Sequence, residues 1–346
     1  MTEVDLYNKY RPGTLEEVKG QPHVIDLLKQ YLAEGSVPHS MVFHGPPGTG
    51  KTSTARLIAQ GLNSHECGLI EVNSASTGKV DDMRSLEREV DYFPIDGDYK
   101  TYVFDEAHRI SSAGFDSLLK TVEEPPSHVK FIFVTTDRDA IPNTILSRSD
   151  VHQFNRIPSN SIRDRLEEVL GLEGVKLTPE LVNLAVEAGS GSLRDSLKSL
   201  QKILVMYHSN QSQIDIVKSL GIVGPKGLGD FCRAFIASNL GSLKAASACF
   251  DPSIVDPIKA IHSLQQFTLD ARHSIVDPEF LPKAESNVEE FLSSLDLSTP
   301  EMQKYNCDCL LFLFDMSLTL EESFRKSTNH KGLIDRFVIQ LEQSRA

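Results

Sequence analysis

The sequence lacks a long apolar run, an even set of cysteines and an excess of positive charge. No segment approaches the roughly 18 to 20 uninterrupted apolar residues of a membrane span. The polar first ten residues have neither the basic start nor the apolar middle of a signal peptide. We therefore expect no membrane partner and a cytoplasmic location. Five cysteines, an odd number scattered through the chain, favour reduced thiols over a disulfide framework.

The charge balance is acidic, with 35 Lys and Arg against 48 Asp and Glu and a formal net charge of -13. Proteins that coat nucleic acid concentrate positive charge to neutralise phosphates. The balance therefore argues against a general nucleic-acid coat, although a local basic groove is compatible with it. The length of 346 residues and the 40% apolar content are those of a soluble globular protein of two or three domains.

Short apolar runs alternate with helical stretches in the first part of the chain, as a mainly parallel α/β sheet requires. The five predicted strands are 40–44, 69–72, 102–104, 131–134 and 151–154. From Ser159 the pattern becomes helical, and glycines between 221 and 229 separate a last helical region. We predict an α/β domain at 1–157, a small helical domain at 158–215 and a third, all-helical domain at 216–346.

The last region contains a long predicted helix at 302–326. Its apolar residues, including Leu310, Leu311, Leu313 and Leu318, cover several sides of the helix. Such a helix packs either inside its own domain or against a neighbouring subunit, and the sequence leaves both open.

A glycine-rich loop, GPPGTGKT at 45–52, follows the first predicted strand and opens a predicted helix at 52–62. In such a loop the backbone N–H groups face the phosphates, the lysine adds a positive charge and the next hydroxyl ligates Mg²⁺. The sequence therefore predicts binding of ATP or GTP with Mg²⁺. The predicted phosphate-site residues are Gly45, Pro47, Gly48, Thr49, Gly50, Lys51, Thr52 and Ser53.

Two carboxylates, Asp105 and Glu106, directly follow the third predicted strand. In nucleotide hydrolysis one such carboxylate meets the Mg²⁺ shell through water, and the next polarises the attacking water. The pair therefore predicts hydrolysis as well as binding. The letters DEAH at 105–108 also spell the box of a class of RNA helicases, but those enzymes need a second α/β motor domain. Because the sequence after Pro158 reads as helical, we reject the helicase interpretation.

Several motifs together resemble the AAA+ ATPase subunits of DNA clamp loaders. They are 45–52, Asp105-Glu106, Ser147-Arg148-Ser149, GSLRD at 191–195, KYRP at 9–12 and LLKTVEEPP at 118–126. The likeness covers about residues 7 to 205. The resemblance is strongest to the tau/gamma subunit of bacterial DNA polymerase III. The sequence also resembles replication factor C small subunits and phage clamp-loader large subunits. It implies an AAA+ P-loop domain, a helical lid and a helical oligomerisation collar.

The resemblance also implies roles for individual residues. Thr136 would sense the γ-phosphate, Arg194 would sense the nucleotide from the lid, and Arg148 would be an arginine finger that reaches the ATP of a neighbouring subunit. The residues implied beside adenine and ribose are Asn8, Lys9, Tyr10, Arg11 and Val18. The residues implied in DNA contact are Thr77, Lys79, Arg84 and Lys120, of which Lys120 would link DNA contact to Glu106.

Two features depart from the resembled family. Bacterial tau/gamma chains carry a four-cysteine zinc module after the phosphate-loop helix, whereas 63–68 contains only Cys67. We therefore expect no zinc. The finger motif, which normally ends in cysteine, ends here in Ser149. The arginine itself is retained, so the role in trans stays implied.

The function implied by the resemblance is that of an ATPase subunit of a sliding-clamp loader. Its implied partners are the clamp, primer-template DNA, further copies of this chain and a different loader subunit. ATP binding would hold the clamp open and grip DNA, and hydrolysis would release the closed clamp. Two alternatives stay open: another AAA+ DNA motor, such as a branch-migration or helicase-loading ATPase, and a clamp-loader stator with a silent ATP site.

Overall fold

The structure is a computed structural model that describes residues 5–62, 68–74, 80–94, 97–209, 211–223, 225–252, 255–277, 286–327 and 329–344. The chain divides into two compact units. The first comprises Met1–Leu177 with Gly191–Lys198, and the second comprises Thr178–Ser190 with Ser199–Ala346. Among the described helices, none combines the length and the apolar character needed to cross a bilayer.

A five-stranded sheet forms the centre of the first unit. Its strands are β1 (Ser40–His44), β2 (Leu69–Asn73), β3 (Lys100–Asp105), β4 (Val129–Thr135) and β5 (Asp150–Gln153). The order across the sheet is β2-β3-β4-β1-β5, and every pairing is parallel. A parallel sheet is covered on both faces, so its central strands are rich in apolar residues, and all seven residues of β4 are buried, Lys130 and Thr135 included. The predicted α/β parallel sheet is confirmed.

Helices cover both faces of this sheet. The helices of the first unit are α1 (Leu6–Lys9), α2 (Pro22–Glu34), α3 (Lys51–Leu62), α4 (Val80–Val90), α5 (Ser112–Glu123), α6 (Asn143–Leu146) and α7 (Ser159–Glu173). Alternate strand residues point to opposite faces. Tyr102 and Phe104 of β3 therefore pack with α4, α5 and α6, while Val103 packs with α2 and α3.

Helix α7 belongs to the first unit, although the sequence prediction assigned it to a separate domain beginning at 158. The reason is visible in three contacts with the N-terminal segment. Lys9 Nζ lies 2.7 Å from Glu173 Oε1, and the Tyr10 hydroxyl donates to the same oxygen at 2.7 Å. Arg165 donates to the Tyr10 carbonyl at 3.2 Å. The division into two units therefore does not coincide with the predicted boundaries at 157 and 215, which remain predictions about domains.

The second unit is helical throughout its described residues. Its helices are α8 (Pro179–Gly189), the later part of α9 (Leu193–His208), α10 (Gln213–Leu220), α11 (Pro225–Ile236), α12 (Leu240–Ala246), α13 (Pro257–Val276), α14 (Ser286–Ser293), α15 (Pro300–Lys326) and α16 (His330–Gln343). Phe231, Phe267 and Phe291 lie in its core. The long predicted helix is α15, whose Leu310 and Leu313 are buried, whereas Leu311 and Leu318 are exposed. The helix therefore buries one face. Leu311 and Leu318 lie seven residues apart, so they share a side of the helix, and this side is exposed.

Candidate nucleotide-binding site

The carboxyl ends of the central strands meet at one edge of the sheet. In the β1–β4 pairing His44 lies opposite Thr135, and β3 ends at Asp105 beside β4. Open parallel sheets bind ligands outside the carboxyl ends of their strands. The glycine-rich loop, Asp105 and Glu106 are therefore gathered where such a sheet offers a ligand site.

The loop between β1 and α3 requires glycine at two positions. Gly45 has φ +139°, and a Cβ there would lie 2.0 Å from the Phe154 carbonyl oxygen. Gly48 has φ +71°, and a Cβ there would lie 2.0 Å from Ser192 Oγ. The Gly48 carbonyl accepts a hydrogen bond from Leu193 N at 3.1 Å. The start of α9 therefore packs directly against the loop.

Lys51 begins α3 and folds back over the loop. Its Nζ donates to the Gly45 carbonyl at 2.8 Å and to the Pro46 carbonyl at 2.6 Å, and the residue is 6% exposed. Burial lowers the lysine pKa to about 8, and the carboxylate of Asp105 opposes that shift. A charged amine held on the loop is positioned to attract phosphate.

Thr52 and Asp105 bring three oxygens together. The Thr52 hydroxyl lies 3.2 and 3.3 Å from the two carboxylate oxygens of Asp105. Hydroxyl and carboxylate oxygens are the hard ligands that Mg²⁺ prefers, and magnesium keeps several waters beside them. The residues present therefore fit a magnesium ion shared with a nucleotide.

Glu106 adopts a left-handed backbone conformation, with φ +52° and ψ +42°. Its amide donates to Asp105 Oδ1 at 3.0 Å. Its carboxylate pairs with Arg109 Nε at 2.8 Å, and both side chains are about half exposed. A left-handed conformation is strained for a residue other than glycine. The ion pair with Arg109 is a contact that the sequence reasoning missed.

A cleft of about 140 Å³ extends from the loop. Most predicted phosphate-site residues line it, together with Arg11, Val18 and Arg194; Gly45 and Pro47 belong to the same loop but not to the lining. The loop and helix residues in the lining are Gly48, Thr49, Gly50, Lys51, Thr52 and Ser53.

Tyr7 also lines the cleft, and the sequence reasoning missed it. The Arg194 guanidinium lies 5.1 Å from the centre of its ring, and Lys198 Nζ lies 5.3 Å from it. Cations at this distance are attracted to an aromatic face. In the sequence, Tyr7 stands three residues before Tyr10, about one helical turn away, and this spacing alone pointed to it as an alternative to Tyr10.

Asn8, Lys9 and Tyr10 are not brought into this cleft. Asn8 is exposed on α1, while Lys9 and Tyr10 contact Glu173. Burial and the hydrogen bond to Glu173 raise the pKa of Tyr10, and the bonds from Lys9 and Tyr10 lower the pKa of Glu173. Their nucleotide-binding role stays a prediction.

Thr136 is exposed, one residue beyond the end of β4. Its neighbour Thr135 is buried instead, and its hydroxyl donates to the Asp137 carbonyl at 2.8 Å. His108 Nδ1 lies 3.2 Å from the same hydroxyl. The sequence shows two consecutive threonines at the end of this strand. Only the strand register shows that Thr135, and not Thr136, faces the interior.

Two residues of the implied DNA-contacting set are described. Arg84 is exposed on α4 and Lys120 is exposed on α5, two helices that share one hydrophobic core. Thr77 and Lys79 lie outside the described residues, and so does Cys67. Within the described ranges no cluster of three His, Cys, Asp or Glu side chains is arranged to hold a metal. The expectation about zinc stays a prediction.

The parallel sheet, the phosphate loop and the following helical unit define a P-loop domain of the AAA+ kind. Solved structures of RuvB agree with that fold. Thermotoga maritima RuvB, titled a Holliday junction branch migration motor, superposes with a TM-score of 0.50 and 20% identity, covering 71% of this chain and 88% of that chain. A mutant of the same RuvB gives a TM-score of 0.51 at 19% identity, covering 71% and 88%.

Comparison of sequences indicates a narrower family than comparison of structures does. A family model described as DNA polymerase III, delta subunit, matches residues 64–158. DNA polymerase III subunit gamma/tau of Mycobacterium bovis is 36% identical over 242 residues, 63% of this chain and 42% of that protein. Subunit tau of Salmonella typhimurium is 41% identical over 255 residues, covering 68% and 40%. Subunit tau/gamma of Haemophilus influenzae is 33% identical over 312 residues, covering 84% and 45%.

The chain therefore belongs with the AAA+ subunits related to bacterial DNA polymerase III gamma/tau. It spans less than half the length of these three relatives.

Proposed function

We propose that this chain is an ATPase subunit of a DNA sliding-clamp loader. The observation that carries the proposal is the contact between Thr52 and Asp105 beside Lys51 in the phosphate loop. This arrangement supplies what nucleotide hydrolysis needs from one chain: a phosphate cradle, a cation and oxygen ligands for magnesium. The likeness to gamma/tau subunits supports the clamp and primer-template DNA as partners.

In the proposed mechanism, the loop amides and Lys51 bind the phosphates. Bound magnesium supplies charge stabilisation on the phosphoryl oxygens, and Thr52 and Asp105 are the residues that hold it. Glu106 leaves Arg109 and orients the attacking water. Arg194, at the start of α9, binds the phosphate end of the nucleotide and so links its occupancy to the lid.

Arg148 completes the site from the adjacent copy. Its side chain is 40% exposed, as a group that acts across an interface must be. It stabilises the charge that develops on the transferring phosphoryl group, and DNA-triggered hydrolysis then ends the clamp-holding state. Several copies and a different subunit assemble for this cycle, and we propose no zinc in it because 63–68 contains only Cys67.

A branch-migration motor is the less favoured function. Its support is the likeness of the fold to RuvB, whose two compared structures are 19% and 20% identical to this chain. The three gamma/tau relatives are 33–41% identical, which favours the clamp-loader function. A silent stator is disfavoured because Lys51 and Glu106 are both retained.

Arg148→Ala tests the proposed assignment in the assembled complex. We expect the nucleotide Kd to stay within about twofold, while DNA-stimulated turnover falls at least about 10³-fold, the lower end of the contribution of an arginine finger. A complex mixed from Arg148→Ala and Lys51→Met chains distinguishes the direction of action. Some interfaces then pair an intact loop with an intact finger, so turnover returns. Undiminished turnover by pure Arg148→Ala complexes contradicts the assignment.

A further inference from the structure

The Arg148 side chain is held by groups of its own subunit. Its Nη2 lies 2.7 Å from Glu123 Oε1. Its Nη1 donates to the Thr144 carbonyl at 2.9 Å and to the Ser147 hydroxyl at 3.2 Å. An exposed arginine side chain ordinarily samples many rotamers, and it loses conformational entropy when it is fixed in one of them. Here the guanidinium is already restricted to one direction.

The backbone beneath Arg148 is also fixed. Arg148 N donates to the Ile145 carbonyl at 3.1 Å, and Ser149 Oγ donates to the same carbonyl at 2.8 Å. Ser149 Oγ also lies 2.7 Å from Ser40 Oγ on β1. Ile145 is fully buried in the core that contains Val122, the residue before Glu123. The carboxylate and the guanidinium therefore rest on one packed core, which sets the distance between them.

Glu123 occupies a position that helix stability alone does not favour. It is the last residue of α5, and the next residue, Glu124, is the C-cap. Carboxylates are disfavoured at a helix C-terminus, because the helix dipole is negative there. The guanidinium of Arg148 offsets that repulsion at Glu123. The pair thus joins a carboxylate in an unfavourable place to the arginine that the proposed mechanism needs from the adjacent copy.

We propose that Glu123 is the positioning residue of the arginine finger: its carboxylate orients Arg148 towards the nucleotide bound by the adjacent subunit. The inference rests on the proposed function. Among the described residues, the contacts of the guanidinium engage Nη1 and Nη2, and a planar guanidinium carries five N–H donors. It therefore retains donors for a phosphoryl oxygen while Glu123 holds Nη2. Preorientation lowers the entropy lost when the interface closes.

Glu123→Gln tests this role, and Glu124→Gln is its matched control. Glutamine keeps the shape of the side chain and removes its charge. We expect Glu123→Gln to lower the kcat of DNA-stimulated turnover about fivefold, the upper range for an exposed ion pair. The KM for ATP, the nucleotide Kd and the Tm stay unchanged. Glu124→Gln, whose carboxylate is exposed on the next residue, behaves as wild type.

A mixed complex separates positioning from a general structural effect. In a complex of Lys51→Met and Arg148→Ala chains, only the Lys51→Met chain supplies a finger. Glu123→Gln placed on that chain is expected to lower turnover about fivefold. The same substitution placed on the Arg148→Ala chain is expected to change nothing.

Three results overturn the positioning role. They are wild-type turnover in Glu123→Gln, a rise in its turnover, and an equal loss from either chain of the mixed complex. Failure of the proposed function itself looks different, because Arg148→Ala then keeps full turnover whatever residue stands at 123.

Discussion

Raising the pH from 7 to 9 is expected to weaken nucleotide binding about tenfold through Lys51. Burial places the pKa of its amine at about 8, below its ordinary 10.5. With that pKa, about nine-tenths of the amines are charged at pH 7 and about one-tenth at pH 9. Because phosphate binding requires the charged form, the apparent Kd rises by this ratio.

The lowered pKa of Lys51 has the opposite consequence for folding: the free energy of unfolding rises as the pH rises. The folded pKa lies below the unfolded one, so the unfolded chain binds more protons between pH 8 and 10.5. Charged Lys51 therefore costs the nucleotide-free fold about 3 kcal/mol below pH 8, and this cost disappears as the pH rises through that window. Stability and nucleotide affinity are thus expected to change in opposite directions above pH 8.

Titration with a fluorescent ATP analogue and Mg²⁺ at pH 7, 8 and 9 measures the effect on binding. Lys51→Arg is the control, since its guanidinium stays charged over the whole range. Its Kd is therefore expected to be independent of pH, whatever its value at pH 7. A wild-type Kd that stays within twofold from pH 7 to 9, or a Lys51→Arg Kd that rises as steeply as the wild-type one, refutes the reasoning.

Two further predictions concern the loop and the water-activating carboxylate. Gly45→Ala places a Cβ 2.0 Å from the Phe154 carbonyl, and we expect a loss of at least about 3 kcal/mol in unfolding free energy, measured by urea denaturation. An unchanged midpoint contradicts it. Arg109→Met releases Glu106 from its 2.8 Å ion pair, so DNA-independent ATP turnover is expected to rise about two- to fivefold at constant nucleotide Kd. Unchanged or lower basal turnover contradicts that account.

The sheet and the phosphate loop were predictable because their signals are local. Each predicted strand is present, and the first runs from Ser40 to His44 as predicted. An apolar run bounded by turn residues carries that information in a few neighbouring positions. The loop follows for the same reason, since its glycine spacing reflects backbone conformations within eight residues.

The details that the sequence did not predict depend on distant partners. Tyr10 reaches Glu173, which is 163 residues away, and so leaves the cleft to Tyr7. Thr135 is the buried threonine because β4 pairs in register with β1, where it lies opposite His44. Arg148 meets Glu123 because α5 and α6 share a core. Such contacts arise from packing, and periodicity alone contains no signal for them.

The most direct test of the central claim is ATP hydrolysis by the complex that copurifies with this chain. Turnover is compared with and without the clamp, each in the absence of DNA, with single-stranded DNA and with primed template. Our account predicts strong stimulation only when clamp and primed template are both present. DNA-stimulated turnover that is indifferent to the clamp contradicts it and indicates a different DNA motor, whereas no turnover under any condition contradicts the ATPase role.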